Sequence, residues 1–119
     1  MRMTVTLDPG DRRIFVSQGV IDVLDSPRQV QMLLNPERRL LMLRPCSTEE
    51  KWAQVVPPGS GRGLEISGAG VLKKIRSLTG WTDDGPRTME GIYIPQQKAV
   101  VFRISDARPV DLRGVNDDE

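Results

Sequence analysis

The side chains able to do chemistry are few, and their spacing does not assemble a reaction centre. The 119-residue chain contains no histidine, which removes the commonest general base near neutral pH and the commonest metal ligand. Its single cysteine, Cys46, follows Pro45, and its nearest cationic neighbours in sequence are Arg44 and Lys51, the only candidates to lower its pKa. Asp83 and Asp84 adjoin in TDDGP; two carboxylates fall short of the six or more oxygens that calcium takes, and Asp-Gly-Pro is first of all a turn. PPGSGRG, at 57–63, lacks the lysine and the Ser/Thr of a phosphate loop and leads into a strand. The chain therefore reads as a non-enzyme with no catalytic residue, no metal ligand and no cofactor.

What remains is cationic. Thirteen of the 17 basic residues are arginine, whose planar fork makes bidentate contacts with phosphate and guanine edges. Six positions form the candidate nucleic-acid-binding set: Arg12 and Arg13, Arg38 and Arg39, Lys73, and Lys98. The net charge is +1, but Asp117, Asp118 and Glu119 close the chain, so residues 1–116 carry +4, from 17 basic against 13 acidic residues. Residues 114–119 are expected to form a flexible acidic tail. Aromatic residues are only 4% of the chain, which argues against a stacking platform for single strands.

The elements that would position these cations come from an internal repeat. IFVSQGVIDVL, at 14–24, aligns with LEISGAGVLKKI, at 64–75, with one inserted residue, so that Ser17, Gly19, Val20 and Ile21 fall on Ser67, Gly70, Val71 and Leu72. In each copy an extended apolar segment runs into a serine, read as the N-cap whose hydroxyl satisfies a first-turn amide. Val20, Ile21 and Leu24, and then Val71, Leu72, Ile75 and Leu78, recur at the spacing of one helical face. Asp25, Ser26 and Pro27 stop the first helix and Gly80 the second. Each helix is followed by a hairpin pattern, turning at Asn35–Pro36 in the first copy and around Pro95 in the second. Counted from those prolines, Arg39 matches Lys98 and Arg44 matches Arg103. This places Arg12 and Arg13 before the first repeated strand, Arg38, Arg39 and Lys98 at hairpin tips, and Lys73 on the second helix beside Lys74 and Arg76.

The expected fold class is α+β: two tandem βαββ units, 12–45 and 64–105, packed as one pseudo-twofold domain, mostly antiparallel sheet with two short helices. A further strand is expected at Thr4–Leu7 and another within Trp52–Val56, with 57–63 as the connecting loop. At this length one core, and one domain spanning 1–119, is the default. The N-terminal MRMTVTLDPGDRR meets Asp8 and Asp11 before any apolar run of signal-peptide length, no stretch approaches a membrane span, and a lone cysteine suits a reducing compartment. A cytoplasmic location without membrane association is expected.

In its order of features RRIFVSQGVIDVLDSPRQVQMLLNPERRLLMLRP, at 12–45, resembles the AbrB-type swapped-hairpin DNA-binding domain, and the second copy at 64–105 makes the pair similar to the tandem MraZ-like arrangement. The resemblance implies a DNA-binding transcriptional regulator acting on double-stranded DNA as a homodimer, with Arg13 as the basic residue that opens the family's strand. Ser17 and Ser67 replace the proline that usually follows that strand. The helical arginine pair falls on Ile21 and Asp22 in the first copy and only on Lys73 in the second. The chain also resembles small proteins carried by bacterial mobile elements, which share a stretch like LLMLRPC and a later tryptophan, here Trp81. The alternative function is a protein-interaction module, an inhibitor or accessory factor of such an element that binds a protein partner through exposed hairpins and not DNA. The DNA reading requires the six cations to share one face.

Overall fold

A computed structural model describes residues 2–47 and 49–110. Its elements are β1 (Thr4–Asp8), β2 (Arg13–Val16), α1 (Gln18–Val23), β3 (Gln29–Asn35), β4 (Leu40–Pro45), β5 (Ala53–Val55), β6 (Leu64–Ser67), α2 (Ala69–Thr79), β7 (Arg87–Ile94), β8 (Ala99–Arg103) and β9 (Arg108–Pro109). Short 3-10 turns at Pro95–Gln97 and Ile104–Asp106 flank β8. The architecture is α+β and mostly antiparallel sheet, as expected. Strands run in the order β5-β3-β4-β8-β7-β1-β2-β6, with β9 on β7. Because the terminal strands of that order, β5 and β6, do not pair, the sheet makes a barrel that stops one ladder short of closure.

Strand β7 is shared by two sub-sheets. Its first half pairs with β1, Thr4 to Leu7 facing Glu90 to Arg87. Its second half pairs with β8, Gly91 to Ile94 facing Phe102 to Ala99. The change of partner falls at Gly91, where a Cβ would lie 2.5 Å from both the Phe102 ring and the Val100 side chain. Only a residue without a side chain lets the fully buried Phe102 fill the space beneath the bend.

Alternation along the strands sends one set of side chains inward. Val5, Leu7, Ile14, Val16, Val30, Leu41, Leu43, Met89, Val100 and Phe102 form the barrel interior, and Val20, Ile21, Leu24, Leu72 and Ile75 from the helices join the same core. Of the seven helical residues expected on these faces, Val71 and Leu78 are only half-buried, Val71 packing at the core's margin.

Both helix starts correct the expected serine caps. Ser17 holds the N-cap position of α1, yet its hydroxyl makes no capping bond. It accepts a hydrogen bond from the Thr4 amide at 2.9 Å and donates to the Arg2 carbonyl at 3.1 Å, so it ties the start of β1 to the end of β2. The N-cap of α2 is Gly68, not Ser67, because Ser67 is still within the β2–β6 ladder, facing Arg13. The ends of the helices agree with the sequence. Asp25 and Ser26 both take left-handed backbone conformations, at φ 67° and 47°, and the Ser26 amide returns to the Ile21 carbonyl at 2.9 Å. Gly80, at φ 77°, closes α2.

Two cross-ladders join the halves of the chain. β2 pairs with β6 so that Phe15 faces Glu65, with Ile14 opposite Ile66 and Val16 opposite Leu64. β4 pairs with β8 so that Met42 faces Val101, with Leu41 opposite Phe102 and Leu43 opposite Val100. The hairpins β3–β4 and β7–β8 share one register: Asn35 faces Leu40 across the first turn and Ile94 faces Ala99 across the second. If the helices seal the barrel as their burial indicates, Leu24→Ala and Leu72→Ala each lower the unfolding free energy by about 2–5 kcal/mol. Urea melts measure this, and a loss below about 0.5 kcal/mol at both positions would contradict the packing.

Candidate interaction surface

The six cations of the sequence reading occupy separate places. Arg12, in the β1–β2 turn at φ 57°, and Lys73, on α2, line one cleft of about 440 Å³ together with Pro9, Ala69, Leu72 and Arg76. Arg13, at the start of β2, is ion-paired with Glu65 across the β2–β6 ladder at 3.1 Å. Arg38 and Arg39 sit at the β3–β4 tip, where the Arg39 carbonyl accepts from the Ile104 amide at 3.0 Å. Lys98, at φ 48° in the β7–β8 turn, lines a different cleft with Arg44, Cys46, Glu50 and Gln97. Since β4 and β8 run antiparallel, the tips bearing Arg39 and Lys98 lie at opposite ends of their ladder. The fold thus brings Arg12 and Lys73 together and separates them from the hairpin tips.

Arg76, the third cation of the first cleft, is committed to its own neighbourhood. Its guanidinium donates to the Trp81 and Thr82 carbonyls and to Asp84 at 3.0–3.4 Å, which fastens the loop after α2. Asp83 pairs with Arg87 at 3.0 Å, and the Arg87 guanidinium lies 4.4 Å from the centre of the Trp81 ring, a cation–π contact. The TDDGP carboxylates therefore serve as counter-ions in a turn. Among the described residues no group of three or more His, Cys, Asp or Glu gathers to hold a metal ion, and no helix is long and apolar enough to cross a membrane.

The feature that charge and motif reading passed over is apolar. On the outward side of the β5-β3-β4-β8-β7 sub-sheet, register sets Leu33 beside Met42, Met42 beside Val101, and Val101 beside Ile92. This makes a hydrophobic row running straight across four strands. Ile92 is 58% exposed, and Val55, on the same side of edge strand β5, is 67% exposed next to Trp52 at 78%. The outward row of the other sub-sheet is different: Glu65, Phe15, Thr6 and Thr88 stand in line, and the threonine hydroxyls lie 3.4 Å apart. Apart from Phe15, which is 39% exposed, that row is polar, whereas the row Leu33, Met42, Val101 and Ile92 is apolar throughout, against the alternation expected of a sheet with one side in water. A signal was present in the sequence: LLMLR and AVVFR are apolar at consecutive positions, the pattern of a strand covered on both sides.

Two arginines frame the row. Arg44 is two residues beyond Met42 on β4, and Arg103 two residues beyond Val101 on β8; because the strands are antiparallel they lie on opposite sides of the row. Two nitrogens of Arg44 donate to Gln31 Oε1 at 3.2 and 3.0 Å, and Gln31, the one buried polar side chain among the described residues, donates to the Lys51 carbonyl at 2.8 Å. Arg103 is exposed and makes no side-chain hydrogen bond among the described residues.

In comparisons with known proteins, no protein-family model, curated protein or solved structure matched the chain.

Cys46, beside Arg44, is half-buried. Burial pushes its thiol pKa up, the Glu50 carboxylate adds to the rise and the Arg44 guanidinium opposes it. A raised pKa leaves less thiolate at neutral pH, and the thiolate is the nucleophile. Alkylation of Cys46 by iodoacetamide is therefore slower near pH 8 than that of an unstructured cysteine peptide, with the rate still climbing above the ordinary thiol range. A rate matching the peptide's would show that the pocket does not hold the thiol as described.

Proposed function

We propose that this chain is a duplicated swapped-hairpin unit that acts without catalysis as a protein-interaction module, docking a partner on the outward face of β3, β4, β8 and β7. The apolar row Leu33–Met42–Val101–Ile92 carries this reading. Ile92 stands exposed at one end of the row, and Val101, Met42 and Leu33 beside it are half-buried; outward apolar residues in line are characteristic of interaction sites. The polar face of the other sub-sheet makes the contrast within one molecule.

The register supports the duplication. Aligning Pro36 with Pro95 makes Met42 the counterpart of Val101, and those two residues face each other. Aligning Ser17 with Ser67 makes Phe15 the counterpart of Glu65, and they too face each other. Both cross-ladders are thus centred on equivalent residues, as a twofold axis through both requires. On the same axis β1 and β5 correspond, since Val5 faces Met89 on β7 while Gln54 faces Val30 on β3. The AbrB-like and MraZ-like resemblance fits this exchange of strands between halves, and the resemblance to proteins of mobile elements fits an accessory factor.

One observation favours the second reading, a DNA-binding regulator: Arg12 and Lys73 share the cleft beside α2. The remaining cations argue against it, because Arg13 is paired with Glu65 and the hairpin-tip cations are at opposite ends of a ladder.

A photo-reactive side chain at position 92 is expected to cross-link a discrete second protein in the native host, while the same group at position 6, on the polar face, gives none. Met42→Asp should abolish the adduct. Duplex DNA titrated over a salt series should show no steep salt dependence. Under the regulator reading the affinity falls steeply with salt, and replacing Arg12 and Lys73 by glutamine flattens the slope by roughly one unit per lost phosphate contact; that pattern would displace the interaction module.

A further inference from the structure

We infer that the outward face of β3, β4, β8 and β7 receives an amphipathic helix of a partner protein, its apolar stripe lying along Leu33, Met42, Val101 and Ile92 and its flanking carboxylates meeting Arg44 and Arg103. This rests on the reading of that face as a docking surface and names what docks there.

The geometry of the face selects a helix. In folded domains an apolar sheet face is covered by helices or by a second sheet. Four strands about 4.8 Å apart make the row roughly 14 Å long, which about ten helical residues, or three turns, cover at 1.5 Å each. Arg44 and Arg103 flank the row two residues away on either side, so they are about 13 Å apart along the strand direction. A helix roughly 10–12 Å wide fits between them, leaving both guanidinium groups at its edges and able to reach its flanks. A second sheet would lie over both arginines. Covering Arg103, which has no carboxylate partner among the described residues, would strip its hydration without compensation.

Charge selects the character of that helix. The Arg103 side of the row continues to the tip bearing Arg38 and Arg39, held next to β8 by the Ile104 amide. The Arg44 side continues to Lys98, in the same cleft. Glu37 and Asp106 stand at the first end against Arg38, Arg39 and Arg103, and Glu49 and Glu50 at the second against Arg44, Lys51 and Lys98, so the cations are in excess by one at each. Glu90, beside the Arg103 end, is already bound by Arg2 at 2.6 Å, and that hydrogen bond holds its carboxyl pKa below the usual range. A second copy of this chain would bring the same cations face to face over a row far smaller than the ~800 Å² per partner of a stable interface. Carboxylates on both flanks of an apolar stripe complement the face.

The test uses two synthetic amphipathic helices of about 18 residues, long enough to hold helical structure, with one leucine stripe flanked by glutamate in the first and lysine in the second. At low ionic strength the glutamate peptide should bind the full chain at least about tenfold more tightly by fluorescence anisotropy and gain helical circular dichroism on binding. Reversing charge with Arg103→Glu and Lys98→Glu should invert the preference, a result that loss of folding cannot imitate. Ile92→Asp should weaken both peptides while leaving the urea midpoint in place. Equal binding of the two peptides, or a glutamate preference that survives charge reversal, would overturn the inference. So would dimerisation of the wild-type chain that Ile92→Asp abolishes, which would assign the face to a second copy. Cross-linking at position 92 without any response to peptide charge would retain the docking surface and reject the acidic helix.

Discussion

The barrel depends on one strand belonging to two sub-sheets at once. β7 gives its first four residues to β1 and its last four to β8, and among the described residues no other strand continues the chain of hydrogen bonds between the two groups. The bend requires a residue without a side chain at position 91, because the Phe102 ring lies where a Cβ would go. Phe102 in turn faces both Gly91 and Leu41, so a single aromatic side chain fills the bend and anchors the ladder between the halves. Few other large side chains are available to do this in a chain with two phenylalanines, two tryptophans and one tyrosine.

The two outward faces flanking that shared strand differ in composition. On β1, β2 and β6, inward aliphatic residues alternate with threonine, serine, arginine, glutamate and the half-exposed Phe15, close to the arrangement of a sheet with one side in water. On β3, β4 and β8 the alternation breaks down, and Leu33, Met42 and Val101 face outward with Ile92 beside them. Interior packing does not require these residues, since Leu41, Leu43, Val100 and Phe102 already fill the core from the same strands.

Much of this was legible in the sequence, and the failures have physical reasons. The strand, helix and hairpin order was readable because Val20, Ile21, Leu24, Leu72 and Ile75 keep helical spacing and because Pro27, Gly80, Pro36 and Pro95 punctuate it. The serine caps were misread because a serine after a strand serves either neighbour: Ser17 bonds back to β1, and Ser67 remains in its ladder. Where the six cations would lie was not legible, because type alone does not place a side chain. Sequence does not reveal that Glu65 would face Arg13's strand or that the two hairpin tips would point apart, as both follow from registers spanning 50 residues or more. The apolar row was legible in principle, since consecutive apolar residues in LLML and AVVF exceed what one buried face needs.

The long-range ladders also bear on how the molecule folds. β2 must wait for β6, β4 for β8 and β1 for β7, where Thr6 meets Thr88. The hairpins β1–β2, β3–β4 and β7–β8, and the short ladders β3–β5 and β7–β9, can form before the chain has returned on itself. Topologies dominated by such distant contacts reach their native state slowly, because the entropy of closing the chain is lost before the contacts that offset it are made. During that interval the edges of β3–β4 and β7–β8 and their apolar outward residues are open to neighbours, so the step most exposed to misassembly is the pairing of one of these hairpins with a strand of another molecule.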